Sequence, residues 1–261
     1  MPTGDQIICP DTGFALVPAT GQTVFRIAKT SYGAMNPPQR DNSVDRSKWS
    51  RWDVPNGSTV YGATDESCSY AEALAALRPA IDIQISDLFD DEENSDLTLE
   101  QVVAEEWAER SHMKPGSIPA GWRSERNMHQ LILPTYGYFV DIAAAESISA
   151  LFKNHGDVLA AAGVEHLTTS HVTSEQRALT TSIARIVHRG VLFDGSLPHG
   201  IYYMSKHDRA WECWAVWLRA VDDGKDVGSE PTKADAGTVI KKPHLNRPLK
   251  RVCDLFSLTC H

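Results

Sequence analysis

The strongest constraint on the fold is the irregular spacing of short apolar segments along the chain. Thr23-Val24-Phe25-Arg26-Ile27-Ala28 reads as a strand, because its apolar residues are β-branched or aromatic. Ser58 to Ala63 reads as a second strand, introduced by an Asn56-Gly57 turn. Tyr70 to Leu77 is rich in helix formers, with Ser67 or Ser69 as a cap and Pro79 as a stop. Ala80 to Ser86 alternates apolar and polar like a strand. Asp87 to Asp96 is an acidic turn, Leu97 to Arg110 has helical spacing, and Lys114 to Arg126 is a Pro/Gly loop. Further strands are expected at Met128 to Leu133, Tyr138 to Ile142, Leu192-Phe193, Gly200 to Met204 and Cys213 to Leu218. Helices are expected at Ala144 to Ala162, broken near Gly156, and at Ser174 to His188. About seven strands and four helices in this irregular order fit an α+β domain with a mixed sheet better than a regular βαβ array. No internal repeat occurs.

The composition narrows the function classes. The chain of 261 residues is 42% hydrophobic and 23% charged with seven Trp, a globular profile rather than a disordered one. It has 25 basic against 34 acidic residues, which argues against a general nucleic-acid binder. One or two well-placed arginines are still enough for a small anion. No apolar run reaches the roughly 18 residues of a membrane span, and the N-terminus has no secretory pattern. The expected location is cytoplasmic, with no direct contact to nucleic acid or membrane.

Cys9, Cys68, Cys213, Cys253 and Cys260 are odd in number and contain no CxxC pair. They read as free thiols in a reducing compartment, with no metal site. Phosphate-binding, nucleophile-elbow and zinc-protease signatures are absent. His166 and His171 read as satisfied or solvent-facing. The carboxylates Glu100, Glu105, Glu106 and Glu109 read as a solvated helix face.

Four polar residues stand in otherwise apolar or small-residue surroundings. Arg26 interrupts an apolar strand, where an unpaired charge is costly, so it needs an anion, an ion pair or solvent. Tyr61 has Gly62 beside it. Glu72 sits in Tyr70-Ala71-Glu72-Ala73, where an exposed helix position is the ordinary alternative. Ser205 ends Ile201-Tyr202-Tyr203-Met204, where a turn is the ordinary alternative. Together they suggest a polar cluster at one rim of a sheet.

Several of these segments, in order, resemble the RES domain, named for its Arg, Glu and Ser. Phe25-Arg26-Ile27 is similar to the family's opening strand, and Ser50-Arg51-Trp52-Asp53 to its Gly-Arg-Trp-Asn segment. Thr59 to Ala63 supplies the tyrosine strand, and Ser69-Tyr70-Ala71-Glu72-Ala73-Leu74 the glutamate helix. Tyr61 and Glu72 stand 11 residues apart, as in that family. Gly200-Ile201-Tyr202-Tyr203-Met204-Ser205 and Cys213 to Trp217 resemble the closing strands. Ser50 and Asp53 depart from the family's Gly and Asn, and a segment at about 86–127 looks inserted. The resemblance covers residues 23–220, leaving an irregular lead-in at 1–22 and a linker and tail at 221–261.

The resemblance implies an ADP-ribosyltransferase-like fold and NAD as substrate, with no cofactor. It implies cleavage of the nicotinamide–ribose bond by hydrolysis or phosphorolysis, as in toxins of bacterial toxin–antitoxin pairs. A helix-turn-helix antitoxin would be the protein partner, and a homodimer a further assembly. Glu72 would stabilise the oxocarbenium-like ribose, because a fixed carboxylate favours that state over the ground state. Arg26 and Arg51 would grip the pyrophosphate. Tyr61 would stack on the nicotinamide, Ser205 would bond its amide or a ribose hydroxyl, and Trp52 would help bind substrate. The alternatives are a protein ADP-ribosyltransferase and a non-catalytic NAD-binding module.

Overall fold

The computed structural model describes residues 7–79 and 116–261. The expected strand at Ala80 to Ser86, the acidic turn, the helix at Leu97 to Arg110 with its carboxylates, and most of the 86–127 insertion lie outside the described residues.

In chain order the strands are β1 (Ile7–Ile8), β2 (Ala15–Pro18), β3 (Thr23–Lys29), β4 (Thr59–Ala63), β5 (Ser117–Ile118), β6 (Arg126–Ile132) and β7 (Tyr138–Asp141). They continue with β8 (Gly200–Met204), β9 (Glu212–Trp217), β10 (Lys233–Ala234), β11 (Thr238–Val239) and β12 (Thr259–Cys260). The helices are α1 (Glu66–Leu74), α2 (Ala120–Ser124), α3 (Ala145–Asn154), α4 (Gly156–Ala161), α5 (Thr169–Val172), α6 (Arg177–Arg189), α7 (Arg219–Asp222) and α8 (Arg247–Phe256). The sheet runs β1-β2-β7-β8-β9-β4-β3-β6-β10, with β11 also on β6. It is mixed: β7 and β8 are parallel and the other pairings are antiparallel. The α+β class is therefore as expected.

Both faces of the sheet are buried, and the period of two along each strand sorts its side chains. Tyr203, Cys213, Ala215 and Trp217 face a core built with Leu74, Leu151, Leu179, Ile183, Leu249 and Val252 of the helices. Val24, Val60, Tyr202, Trp214 and Val216 face a second core with Leu131, Leu133 and Phe139. Gly200 is required where β8 meets β9, since a Cβ there would stand 1.8 Å from the Ala215 carbonyl oxygen.

The structure corrects several local expectations. The lead-in is partly ordered into the sheet: Leu16 pairs with Val140, and the Ala15 N–H donates to Ser147 Oγ at 3.0 Å. Pro10 and Gly13 lie between β1 and β2, Pro18 ends β2 and Gly21 follows it. The tail is also part of the domain. β10 and β11 pair with β6, and the buried carboxylate of Glu230 accepts from the Val221 N–H at 2.9 Å. Helix α8 buries Leu249, Val252 and Phe256, while Leu255 faces solvent. Leu192-Phe193 is a turn rather than a strand, closed by Gly195 N–H to Leu192 O at 2.8 Å. Residues 114–126, expected as a loop, contain β5 and α2. The cap of α1 is Asp65, whose carboxylate accepts from the Ser67 and Cys68 N–H groups; Ser67 and Ser69 lie inside the helix. No helix among the described residues is long and apolar enough to cross a membrane.

Candidate active site

β3 pairs with β6 through seven residues but with β4 through the single pair Phe25↔Ala63. Gly62 permits that one close crossing, because a Cβ there would meet Val24 Cγ2 at 2.6 Å. Beyond it the strands part, and a cleft of about 530 Å³ opens against α1. That volume suits a small-molecule site, typically about 300–1,000 Å³. Arg26, Arg51, Tyr61 and Glu72 all line the cleft, although they span 46 residues of sequence.

Arg26 bridges the split. Its Nη1 donates to the Tyr61 carbonyl at 3.2 Å, standing in for the missing ladder partner. Its Nε is shut off from solvent without a hydrogen-bond partner, and no carboxylate of the described residues forms an ion pair with it. Burial draws its pKa down to about 10, against the opposing influence of Tyr61 and Asp53. The internal ion pair that would have made Arg26 an ordinary residue is thus missing.

The Ser50–Asp53 turn carries the next group. Asp53 is buried and acts as its anchor: Oδ2 accepts from Arg40 Nε at 2.6 Å and from the Ser50 N–H at 2.8 Å, while Oδ1 accepts from the Tyr61 hydroxyl at 2.8 Å. The Trp52 N–H donates to the same hydroxyl at 3.1 Å. Burial, then the Asp53 charge, raises the Tyr61 pKa, so the phenol stays protonated and its ring is fixed in the cleft wall. The turn sends Arg51 and Trp52 different ways. Arg51 reaches the cleft with its guanidinium 5.0 Å over the Tyr203 ring and Nη1 3.5 Å from the Thr173 carbonyl oxygen. Trp52 is fully buried, 5.9 Å from Tyr203 between ring centroids, and its carbonyl accepts from Trp217 Nε1 at 3.0 Å. It packs in the core and does not line the cleft, unlike the substrate-contacting position expected of it.

Glu72 lies on α1 among small residues. Ala73, Ala75 and Ala76 line the cleft beside it and leave the carboxylate accessible. Ser69 Oγ donates to the Phe25 carbonyl at 2.8 Å and pins the helix to β3. Ser205 Oγ donates to Glu72 Oε1 at 2.7 Å and accepts from the His207 N–H at 3.2 Å. Ser205 is buried and is not on the cleft wall, so its side chain acts on Glu72.

Sequence reasoning missed part of the wall. Lys206 and Arg177 both pair with Glu175, and all three line the cleft. Burial works against ionisation of Glu175, but the Lys206 hydrogen bond and the two cations hold its pKa below the ordinary range. The wall then carries four basic side chains against two carboxylates in a chain of formal charge −9. Lys206 was detectable as the neighbour of Ser205, and Tyr203 as its same-face neighbour two residues earlier. Glu175 and Arg177 carry no comparable sequence signal.

Cys68 and Cys213, 145 residues apart, also meet here, with Sγ atoms 3.4 Å apart. All five cysteines are free thiols. His166 and His171 make separate contacts: within α5, His171 Nδ1 accepts from the Thr168 N–H at 3.2 Å, and in the preceding loop the His166 ring stands 6.2 Å from Phe152.

A scan against models of protein families finds no match. A search of curated proteins finds none either. Among solved structures, the chain is similar to one in the crystal structure of the M. tuberculosis MbcT–MbcA toxin–antitoxin complex. The two share 10% sequence identity and a TM-score of 0.43, over 90% of this chain and 92% of that chain.

Proposed function

We propose that this chain is a RES-type, ADP-ribosyltransferase-like enzyme that cleaves the nicotinamide–ribose bond of NAD. The observation that carries the reading is the convergence of Arg26, Arg51, Tyr61 and Glu72 on one cleft, with Glu72 held by Ser205. Arg26, Tyr61 and Glu72 stand out by sequence pattern and Arg51 by the family resemblance, and all four line the same cleft.

Each side chain has a role that its surroundings suit. Arg26 and Arg51 take the pyrophosphate, whose paired anionic oxygens match guanidinium forks. Neither has a carboxylate partner among the described residues. Tyr61, fixed by Asp53, gives the nicotinamide a rigid apolar wall. Glu72 stands by the ribose. As the glycosidic C–N bond breaks, its electron pair leaves with neutral nicotinamide and positive charge develops on the ribose. Glu72 Oε2, which bonds none of the described residues, faces that charge while Ser205 holds Oε1. Water or phosphate then adds to the ribose carbon and releases its proton to solvent. Since the leaving group is neutral, no strong general acid is needed.

In this reading the chain is the toxin of a toxin–antitoxin pair in the cytoplasm, restrained by a helix-turn-helix antitoxin, and NAD is its substrate rather than a cofactor. The test is direct. The purified chain is incubated with NAD, and nicotinamide and ADP-ribose are followed, together with ADP-ribose 1″-phosphate when phosphate is present. Nicotinamide release matched by one of these products is expected. No release with water, phosphate or protein acceptors sinks the enzyme reading, and release with label transferred to protein replaces it by protein ADP-ribosylation.

A further inference from the structure

Among the described residues, Cys68 Sγ, Cys213 Sγ and a Glu72 carboxylate oxygen all lie within 4.8 Å of one another. Cys68 and Glu72 are one helical turn apart on α1 and share its face. Cys213 comes from β9, opposite Tyr203 in the ladder. Both sulfurs are buried, while Glu72 and Cys213 open onto the cleft, which supplies an entry path.

We propose that these three side chains form a binding site for a thiophilic divalent cation, zinc in the first instance, and that its occupation withdraws Glu72 from the cleft.

The donor set decides the class of cation. Two thiolates and a carboxylate suit zinc or cadmium and are poor ligands for magnesium or calcium, which want oxygen throughout. The spacing fits as well. Two sulfurs bound to one tetrahedral zinc at about 2.3 Å stand about 3.8 Å apart. The observed 3.4 Å therefore needs only a small opening. Three protein ligands leave one tetrahedral corner for a water from the cleft. Binding balances as one divalent cation plus two thiols giving the bis-thiolate complex and two protons.

The site stands on its own geometry; only its effect on turnover rests on the function proposed above. Cys253 and Cys260 form a second contacting thiol pair. Its Cys260 thiol is drawn down to about 7 by contact with Cys253, with Arg123 adding to this against the opposing effect of burial. The test therefore uses the reduced full chain carrying Cys253→Ser and Cys260→Ser, titrated with cadmium alone. An ultraviolet thiolate-to-cadmium charge-transfer band saturating at one equivalent is expected. Cys68→Ala and Cys213→Ala should each weaken binding by about 100-fold or more. Glu72→Ala, which keeps both sulfurs, should retain the band with affinity about tenfold lower. Far-ultraviolet circular dichroism of each variant checks that it is folded, and Glu72→Ala keeps the test alive if a cysteine variant is not. Binding without the band overturns the proposal, as does an undiminished band in Cys68→Ala and Cys213→Ala or an unchanged affinity in Glu72→Ala. Zinc should also suppress nicotinamide release, with recovery on adding a chelator. A chain that binds cadmium as described but never cleaves NAD upholds the metal site and removes the function reading.

Discussion

Arg26 and Arg219 are both drawn down to about 10 by burial, and each leaves a buried Nε without a partner. Their other nitrogens tell them apart. Arg219 donates to His188 Nε2 at 3.0 Å, to the His188 carbonyl at 2.8 Å and to the Pro198 carbonyl at 3.0 Å, with its guanidinium 5.5 Å over Trp217. Asp222, Asp223 and Glu230 offset part of its burial. Arg26 has one carbonyl and an open cleft. One cluster is closed by the protein, and the other opens onto the cleft, where the proposed substrate would complete it. Burial of an arginine alone therefore does not distinguish a structural site from a binding site; the number of acceptors left unsupplied does.

The contrast is broken most decisively at Glu72, the centre of the open cluster. Glu72→Gln keeps the shape and removes the charge. It should lower nicotinamide release about 1,000-fold, or about 4 kcal/mol of barrier, with Tm unchanged. Retained turnover would remove Glu72 from the chemistry. In the closed cluster the signs reverse. Arg219→Ala strands three acceptors and should cost about 3 kcal/mol of folding stability in urea unfolding, with kcat/KM per folded molecule unchanged. Equal stability in wild type and variant would refute its structural role.

Acid should attack the closed cluster as well. Burial, then the Arg219 and Arg189 charges, draws the His188 pKa from 6.5 to about 4. The folded ring stays neutral and accepts from Arg219, while the unfolded ring takes up a proton below 6.5. Stability from this site is thus complete above pH 6.5 and falls as pH drops toward 4. The ceiling is about 3 kcal/mol, and about half that after solvent screening of a half-buried ring. His199 and His207, also lowered mainly by burial, act in the same direction. Urea unfolding across that window measures the slope, and stability that rose toward acid would contradict the assignment.

The open cluster was more legible in the sequence than the closed one, for a physical reason. Arg26 interrupts an apolar strand and Glu72 interrupts a run of alanines, so each breaks the local pattern and stands out. Arg219 follows an apolar run, Ala215 to Leu218, but stands at its end close to Asp222 and Asp223, where solvent or an acidic partner is the ordinary expectation, and only the fold brings it to His188. The strands β3, β4, β8 and β9 were readable because β-branched and aromatic residues repeat in them. β2 and β10 were not: β2 is four residues that end in Pro18 with Gly21 close behind, and β10 is two residues shortly before Gly237. Trp52 shows the limit of a motif: adjacent to Arg51 in sequence, it points into the core because the Asp53 anchor sets the turn. The Cys68–Cys213 contact has no short spacing to announce it, since it joins a helix to a distant strand.

The smallest expected effect is the sharpest probe of the contrast. Arg26→Met keeps the side chain's apolar stem and removes its only satisfied hydrogen bond, to the Tyr61 carbonyl. It also relieves a buried, unpartnered Nε. These effects oppose each other, so stability should change by no more than about 1 kcal/mol. The proposed pyrophosphate contact would be lost outright, and the apparent affinity for NAD should fall about tenfold, or about 1.4 kcal/mol. Arg26→Lys retains the charge without the fork and should recover only part of that loss. If Arg26→Met instead unfolds the chain as readily as Arg219→Ala while NAD affinity holds, then Arg26 closes the β3–β4 split for the fold alone. The two arginines would then be alike after all.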